Sequence, residues 1–155
     1  MAAPSSTLLS QDILDRCAER APIYDRENRF FNEDFEELRS AGYLRMAIPT
    51  EFGGSGYSLE QVSRELRCLA YYAAPTALGL NMHIYWTGLF ADLWRSGDKS
   101  LEPLLREAAA GEIFAAGHAE SGNDLPLLLS TTKAERVDGG YRINGRKSFG
   151  SLTPV

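Results

Sequence analysis

The residues best equipped for chemistry lie late in the chain, between Ile113 and Ser151. His118 follows the short apolar run Ile113-Phe114-Ala115-Ala116-Gly117 and carries the side chain that titrates nearest neutral pH. It is a candidate to donate to a bound group or to a substrate carbonyl, with a solvent-facing loop residue as the alternative. Glu120 and Asp124 flank Gly122 in the loop that follows and are candidates for a carboxylate pair. Acidic and amide side chains in such loops ordinarily bond nearby backbone N–H groups instead. His83 and His118 have no cysteine nearby in sequence and do not make a metal-site spacing. Phe149 and Ser151 set a ring and a hydroxyl two positions apart, and pattern alone reads Phe149 as a core residue.

These residues sit where the apolar period changes. Ser130 to Val137 is β-like and ends at Asp138-Gly139-Gly140, and Tyr141-Arg142-Ile143 ends at Asn144-Gly145. Asp-Gly and Asn-Gly tolerate the positive φ of tight hairpin turns, so a small antiparallel sheet is predicted here. Everything earlier reads as helix. Leu8, Leu9, Ile13, Leu14 and Cys17 recur at helical spacing from Thr7 to Ala21, and Pro22 predicts a stop. A second helix is expected from Asn32 to Ala41, closed by Gly42, with Phe31, Phe35 and Leu38 as its stripe. Ser58 and Gln61 form a capping box for a third helix, whose buried face is Leu59, Val62, Leu66, Leu69 and Ala73, and Ala74-Pro75-Thr76 breaks it. From Thr76 to Trp94 the apolar residues surround the axis, as in a helix buried in a core or an oligomer interface. A last helix covers Ser100 to Ala110, with Leu101, Leu104 and Leu105 inward. The helical domain is therefore expected over 1–111 and the start of a β-domain over 112–155.

The 155 residues carry a net charge of −5 with both signs mixed along the chain, so no basic footprint for nucleic acid is visible. Mean hydropathy is −0.25, and no run approaches the about 18 apolar residues of a membrane span. The N-terminus lacks a basic segment followed by an apolar core, which leads us to expect a cytoplasmic protein. Cys17 and Cys68 fall in helical patterns and are expected to be buried, reduced thiols. Gly53-Gly54-Ser55-Gly56 lacks the lysine and the preceding strand of a phosphate loop and suits a close turn between helices.

Two stretches carry a resemblance to a known family. Gly122-Asn123-Asp124, then Asn144-Gly145-Arg146-Lys147, then Phe149 and Ser151, resemble in order and spacing the start of the middle domain of the acyl-CoA dehydrogenases. Gly42 to Gly56, with its Pro49-Thr50-Glu51-Phe52-Gly53-Gly54-Ser55-Gly56, resembles the segment after that family's second helix. One departure stands out: Gly117-His118-Ala119 occupies the place of the family's Thr-Glu-Pro, so position 117 has no hydroxyl to offer.

The resemblance implies a mainly α fold: the family's N-terminal helical domain followed by the first antiparallel strands of a β-barrel domain, in a chain expected to be truncated. It implies FAD as cofactor, with Phe114, Ala116, Gly117 and His118 along the flavin's pyrimidine side, Phe149 as a wall and Ser151 donating toward N5. Asn123 would approach the CoA part of the substrate, and Asn81, Met82, His83 and Tyr85 become candidates for the acyl pocket. The implied reaction is α,β-desaturation of an acyl-CoA thioester in fatty acid metabolism. Its electrons would pass to an electron-transfer flavoprotein or similar acceptor, from a homo-oligomeric enzyme, dimer or tetramer. The catalytic base of that family lies in a C-terminal domain and is not in this chain. Two rivals remain: a flavin-dependent monooxygenase on the same fold, and a helical binding or assembly module without chemistry.

Overall fold

The computed structural model describes residues 4–120 and 130–155. Among them α1 (Gln11–Glu27), α2 (Asn32–Ser40), α3 (Leu59–Arg95) and α4 (Glu102–Ala110) precede a hairpin of β1 (Lys133–Val137) and β2 (Gly140–Asn144). This is the expected mainly helical fold with two antiparallel strands.

Ser10 caps α1, which buries Leu14, Cys17 and Tyr24 along one stripe. The helix does not stop at Pro22 as predicted but runs to Glu27 and ends at Asn28 in the left-handed region. Proline removes one N–H from the helix. Here it sits on the exposed side, while Tyr24, two residues on and so on the other side of the helix, is buried and holds the following residues down. In α2, Phe35 and Leu38 face inward as expected, and Gly42, at φ 79°, turns the chain out of the helix.

Between α2 and α3 the glycine cluster forms a close turn. The N–H groups of Gly53, Gly54 and Gly56 donate to the carbonyls of Thr50, Pro49 and Ile48, so none is left to cradle a phosphate. A Cβ at Gly54 would lie 2.1 Å from the Ile48 carbonyl oxygen, which leaves glycine as the residue that fits.

The predicted capping box at Ser58 and Gln61 opens α3. Its helical geometry fails at Ala73, at φ −147° and ψ 78°, two residues before Pro75, where the sequence pattern predicts a break. The chain reverses there: Arg95, at the end of the second arm, donates to the Gly56 carbonyl just ahead of the first, at 3.3 Å. The reversal is pinned from below. Thr76 Oγ1 donates to Asp34 at 2.8 Å, Tyr24 donates to the same carboxylate at 3.2 Å, and Arg20 pairs with it at 2.7 Å. Burial raises the Asp34 pKa, with the Thr76 bond opposing. A hydrogen bond to a buried carboxylate contributes about 2 kcal/mol, enough to fix one helix against another. The second arm then buries Leu80, His83, Ile84, Thr87, Phe90 and Ala91, while Leu78 and Tyr85 stay exposed. Leu59, expected inward, is 75% exposed, because the first turn of α3 forms a lip rather than a floor.

Ile48, Phe90, Ala91, Leu105 and Ala108 join α4 to this arm, and Gly111, at φ 112°, ends α4. The hairpin pairs Lys133 with Asn144 and Val137 with Gly140, turning at Gly139, and all ten strand residues are exposed. β1 starts at Lys133 rather than at Ser130, because Ser130 to Thr132 are bonded to Glu120. Residues 113–117, the short apolar run, have no strand partner among the described residues and form no ladder. Both cysteines are free and buried, as expected.

Two substitutions test this packing with opposite signs. Gly79 faces the Phe31 ring so closely that a Cβ would lie 2.4 Å from it. Gly79→Ala is therefore expected to destabilise by about 1 to 3 kcal/mol in denaturant unfolding, despite alanine's higher helix propensity. Tyr43 is fully buried with a hydroxyl that has no partner among the described residues, so Tyr43→Phe is expected to stabilise by up to about 1 kcal/mol.

Candidate functional site

The two arms of α3 leave a groove of about 310 Å3 between them. Val62, Leu66, Ile84 and Leu89 make its apolar lining, together with Ala47 from the preceding turn. Asn81 and Tyr85, both expected at an acyl pocket, line it, and Tyr85 stands 56% exposed. Met82 and His83, the other two candidates, are not on this lining. Gly88 supplies the bare stretch of wall, where the nearest neighbour to an added Cβ is Ala47 Cβ at 4.0 Å.

His83 belongs instead to the opposite side of the arm. It is 1% exposed, and Nε2 lies 3.1 Å from the Leu44 carbonyl while Nδ1 accepts the Phe114 N–H at 3.1 Å. A carbonyl accepts and an amide donates, so these partners assign the proton to Nε2 and leave Nδ1 bare. Burial pushes the imidazole pKa below its ordinary value, partly opposed by the Leu44 bond. The Phe114 amide N–H is thus engaged by His83. Among the described residues nothing takes up the N–H groups of Ala116, Gly117 and His118.

An aromatic file backs this segment. Phe114 packs edge-on against Phe90 at 5.2 Å, Phe90 lies against Trp86 at 5.9 Å, and His118 stacks on Trp86 at 6.1 Å. Trp86 Nε1 is buried without a partner among the described residues. Sequence reading missed Trp86; its position three residues after His83 and four before Phe90 puts all three on one helical face.

The two stretches expected to meet a cofactor are brought side by side. Ser148 N donates to the Ala119 carbonyl at 2.8 Å, and a Cβ at Gly117 would lie 3.1 Å from Lys147 Cβ. Glu120 secures the junction from beneath: it accepts from Ser130 Oγ at 2.6 Å, Thr131 N at 2.9 Å, Thr132 Oγ1 at 3.0 Å and Lys147 Nζ. The Lys147 ammonium, aided by the Ser130 and Thr131 donors, holds the carboxyl far below the usual carboxylate range. Glu120 is therefore a structural clamp rather than half of a catalytic pair. Asp124 and Asn123 lie outside the described residues. Phe149 stands 87% exposed at φ 58°, and Ser151 is half-buried beside Leu152, whose side chain enters the main core.

Free amides at 116–118, an apolar wall behind them and an exposed ring nearby fit a flat heteroaromatic group with hydrogen-bonding edges. No described helix is long and apolar enough to cross a membrane, and no cluster of three metal-ligating side chains occurs among the described residues.

Comparison with known proteins bears on the family and the fold. The family model for the acyl-CoA dehydrogenase N-terminal domain matches residues 11–114. The amino sugar nitrososynthase DnmZ of Streptomyces peucetius is 34% identical over 137 residues, which make up 84% of this chain and 32% of that protein. The putative acyl-CoA dehydrogenase YdbM of Bacillus subtilis (strain 168) is 30% identical over 144 residues, covering 91% and 38%. The X-ray structure of KijD3 in complex with dTDP superposes with a TM-score of 0.77 at 29% identity, over 93% of this chain and 37% of that one. The chain thus spans about a third of the length of the curated relatives it matches.

The clamp has a pH signature. A carboxyl whose folded pKa is depressed adds stability above its ordinary value of 4.5, and that stability is lost as pH falls through the folded value. Amide exchange at Thr131 and Thr132 should stay slow well below pH 4.5 in the parent. Lys147→Met removes the leading cause of the depression while the Ser130 and Thr131 donors remain, so the same amides should lose protection at a higher pH than in the parent; identical profiles would count against the clamp.

Proposed function

The chain belongs to the acyl-CoA dehydrogenase family, and from that premise we propose that it forms the helical part and first strands of an FAD-dependent oxidoreductase that desaturates an acyl-CoA thioester. The observation that supports this reading is the groove between the arms of α3, mainly apolar in its lining and of the volume small ligands occupy. The acyl group lies in it, with Asn81 and Tyr85 at its rim. The amides of Ala116, Gly117 and His118 would hold the pyrimidine edge of the flavin, with Phe149 as a wall and the Ser151 hydroxyl as a donor to it. Trp86 and Phe114 shut water out from behind. When bound, FAD supplies the acceptor for the β-hydrogen, taken as hydride at N5. The carboxylate on the groove lining, Asp92, is paired with Arg95 at 3.1 Å, so the base that removes the α-proton comes from outside the described residues. A second flavoprotein accepts the electrons, and the exposed Tyr71 and Leu78 offer apolar surface for a homo-oligomer.

A second reading, an oxygen-using monooxygenase on the same fold, is favoured by two observations. Gly117-His118-Ala119 stands where the dehydrogenases carry Thr-Glu-Pro, and the relative DnmZ is an amino sugar nitrososynthase rather than a dehydrogenase. That reaction needs no α-proton base.

The readings separate in the anaerobic visible spectrum of the full-length, flavin-loaded enzyme mixed with a panel of acyl-CoA thioesters. Bleaching of the oxidised flavin band by one thioester is expected for the dehydrogenase; a band that none of them bleaches points to the monooxygenase. Gly88→Leu tests the groove. The new side chain fills it, so the bleaching thioester should bind at least about tenfold more weakly, while helix propensity leaves the melting temperature equal or higher.

A further inference from the structure

We infer that His83 is a positioning residue that holds the segment from Phe114 to His118 against the helical domain only while its imidazole is neutral, and lets go of it on protonation. The geometry carries this. The bare Nδ1 is the acceptor of the Phe114 N–H at 3.1 Å, and the Leu44 carbonyl on the other side can take only a donor. A proton added at Nδ1 would set two donors face to face at that distance, and the bond that fixes the start of the segment becomes a repulsion. Nothing else among the described residues bonds the backbone N–H groups of the three residues 116–118, so this anchor and the Ser148–Ala119 bond hold the stretch at its two ends.

The surroundings oppose a charged imidazole. Arg39 from α2, Arg45 from the turn after it and Glu112 from the chain after α4 line, with His83, a pocket of about 210 Å3. Both signs of charge thus occur on this lining, and it is burial, partly opposed by the Leu44 bond, that disfavours the charged imidazole. On α3 itself the neighbour is Thr87, whose hydroxyl donates to the His83 backbone carbonyl. Phe114, stacked at 6.4 Å from the imidazole, brings no charge. A histidine with its folded pKa depressed adds stability above its ordinary value of 6.5, and that stability is lost as pH falls below it. The release is thus an acid-side event.

Two substitutions separate the anchor from mere packing. Asparagine places a carbonyl oxygen near the position of Nδ1, keeping an acceptor that does not titrate. Glutamine reaches the Nε2 end and keeps the donor to Leu44 but offers Phe114 little. Amide exchange at Phe114, corrected for intrinsic rates, is the readout between about pH 7.5 and about pH 5. In the parent, protection should drop at least about tenfold on the acid side. In His83→Asn it should be flat across the range, and in His83→Gln low throughout. Protection in the parent that does not change with pH, or a His83→Asn profile that titrates like the parent, overturns the inference. So does a 15N spectrum at neutral pH showing the proton on Nδ1, a measurement that needs no variant. The link to the cofactor rests on the reading of 116–118 as the flavin edge and has its own test. FAD should dissociate faster below about pH 6.5 from the parent and not from His83→Asn. Exchange that titrates as expected without any change in FAD release would uphold the anchor and reject that placement of the flavin.

Discussion

The reversal of α3 at Ala73 is the constraint on which the rest of the molecule depends. A straight helix of its 37 residues would run to about 55 Å and could not bring Leu66 and Ile84 to the same groove. The break itself is cheap to encode, since the residues before a proline are already biased away from helix. Holding the second arm in one orientation is harder, and a buried polar contact does it. Asp34 has to be satisfied once it leaves water, and the Thr76 hydroxyl, three residues past the break, satisfies it. Hydrophobic packing of Leu80, Ile84 and Phe90 tolerates small rotations of the arm; a hydrogen bond to a buried carboxylate does not.

Once the arm is oriented, its two sides acquire separate duties. The side with Asn81, Ile84, Tyr85 and Gly88 lines a groove with apolar walls. The side with His83, Trp86 and Phe90 receives the chain that leaves α4 and shapes it without secondary structure of its own. That chain is held at one end by an imidazole lone pair and at the other by the Glu120 clamp, which leaves its middle amides unspent. A strand in that place would have consumed alternate amides in a ladder.

Much of this was legible in the order of residues. The capping box at Ser58 and Gln61, the stop at Gly42, the break near Pro75 and the hairpin turn at Gly139 are local signals, and each determines its own few residues. Asn81 and Tyr85, which the resemblance offered together with Met82 and His83, reach the groove because a spacing of four puts them on one helical face. What could not be read depends on contacts distant in sequence. Pro22 gave a stop signal that the burial of Tyr24 overrode, and Leu59 fitted an apolar stripe whose floor lies elsewhere. His83 looked like one more pocket residue, since only the folded chain shows Leu44 and Phe114 on either side of its ring. Glu120 resembled a catalytic candidate until its partners, up to 27 residues away, were in place.

The two cysteine thiols give the molecule an internal clock. Cys17 lies on the inner stripe of α1, fully buried, with a thiol pushed up to about 11, and Cys68 lies on the first arm of α3, where Sγ meets the Pro4 carbonyl at 3.5 Å. Neither is ionised at neutral pH, and only the thiolate attacks an alkylating reagent. Each sulfur therefore reacts at the rate at which its own part of the fold opens, so that one unmodified chain reports the breathing of two helices separately.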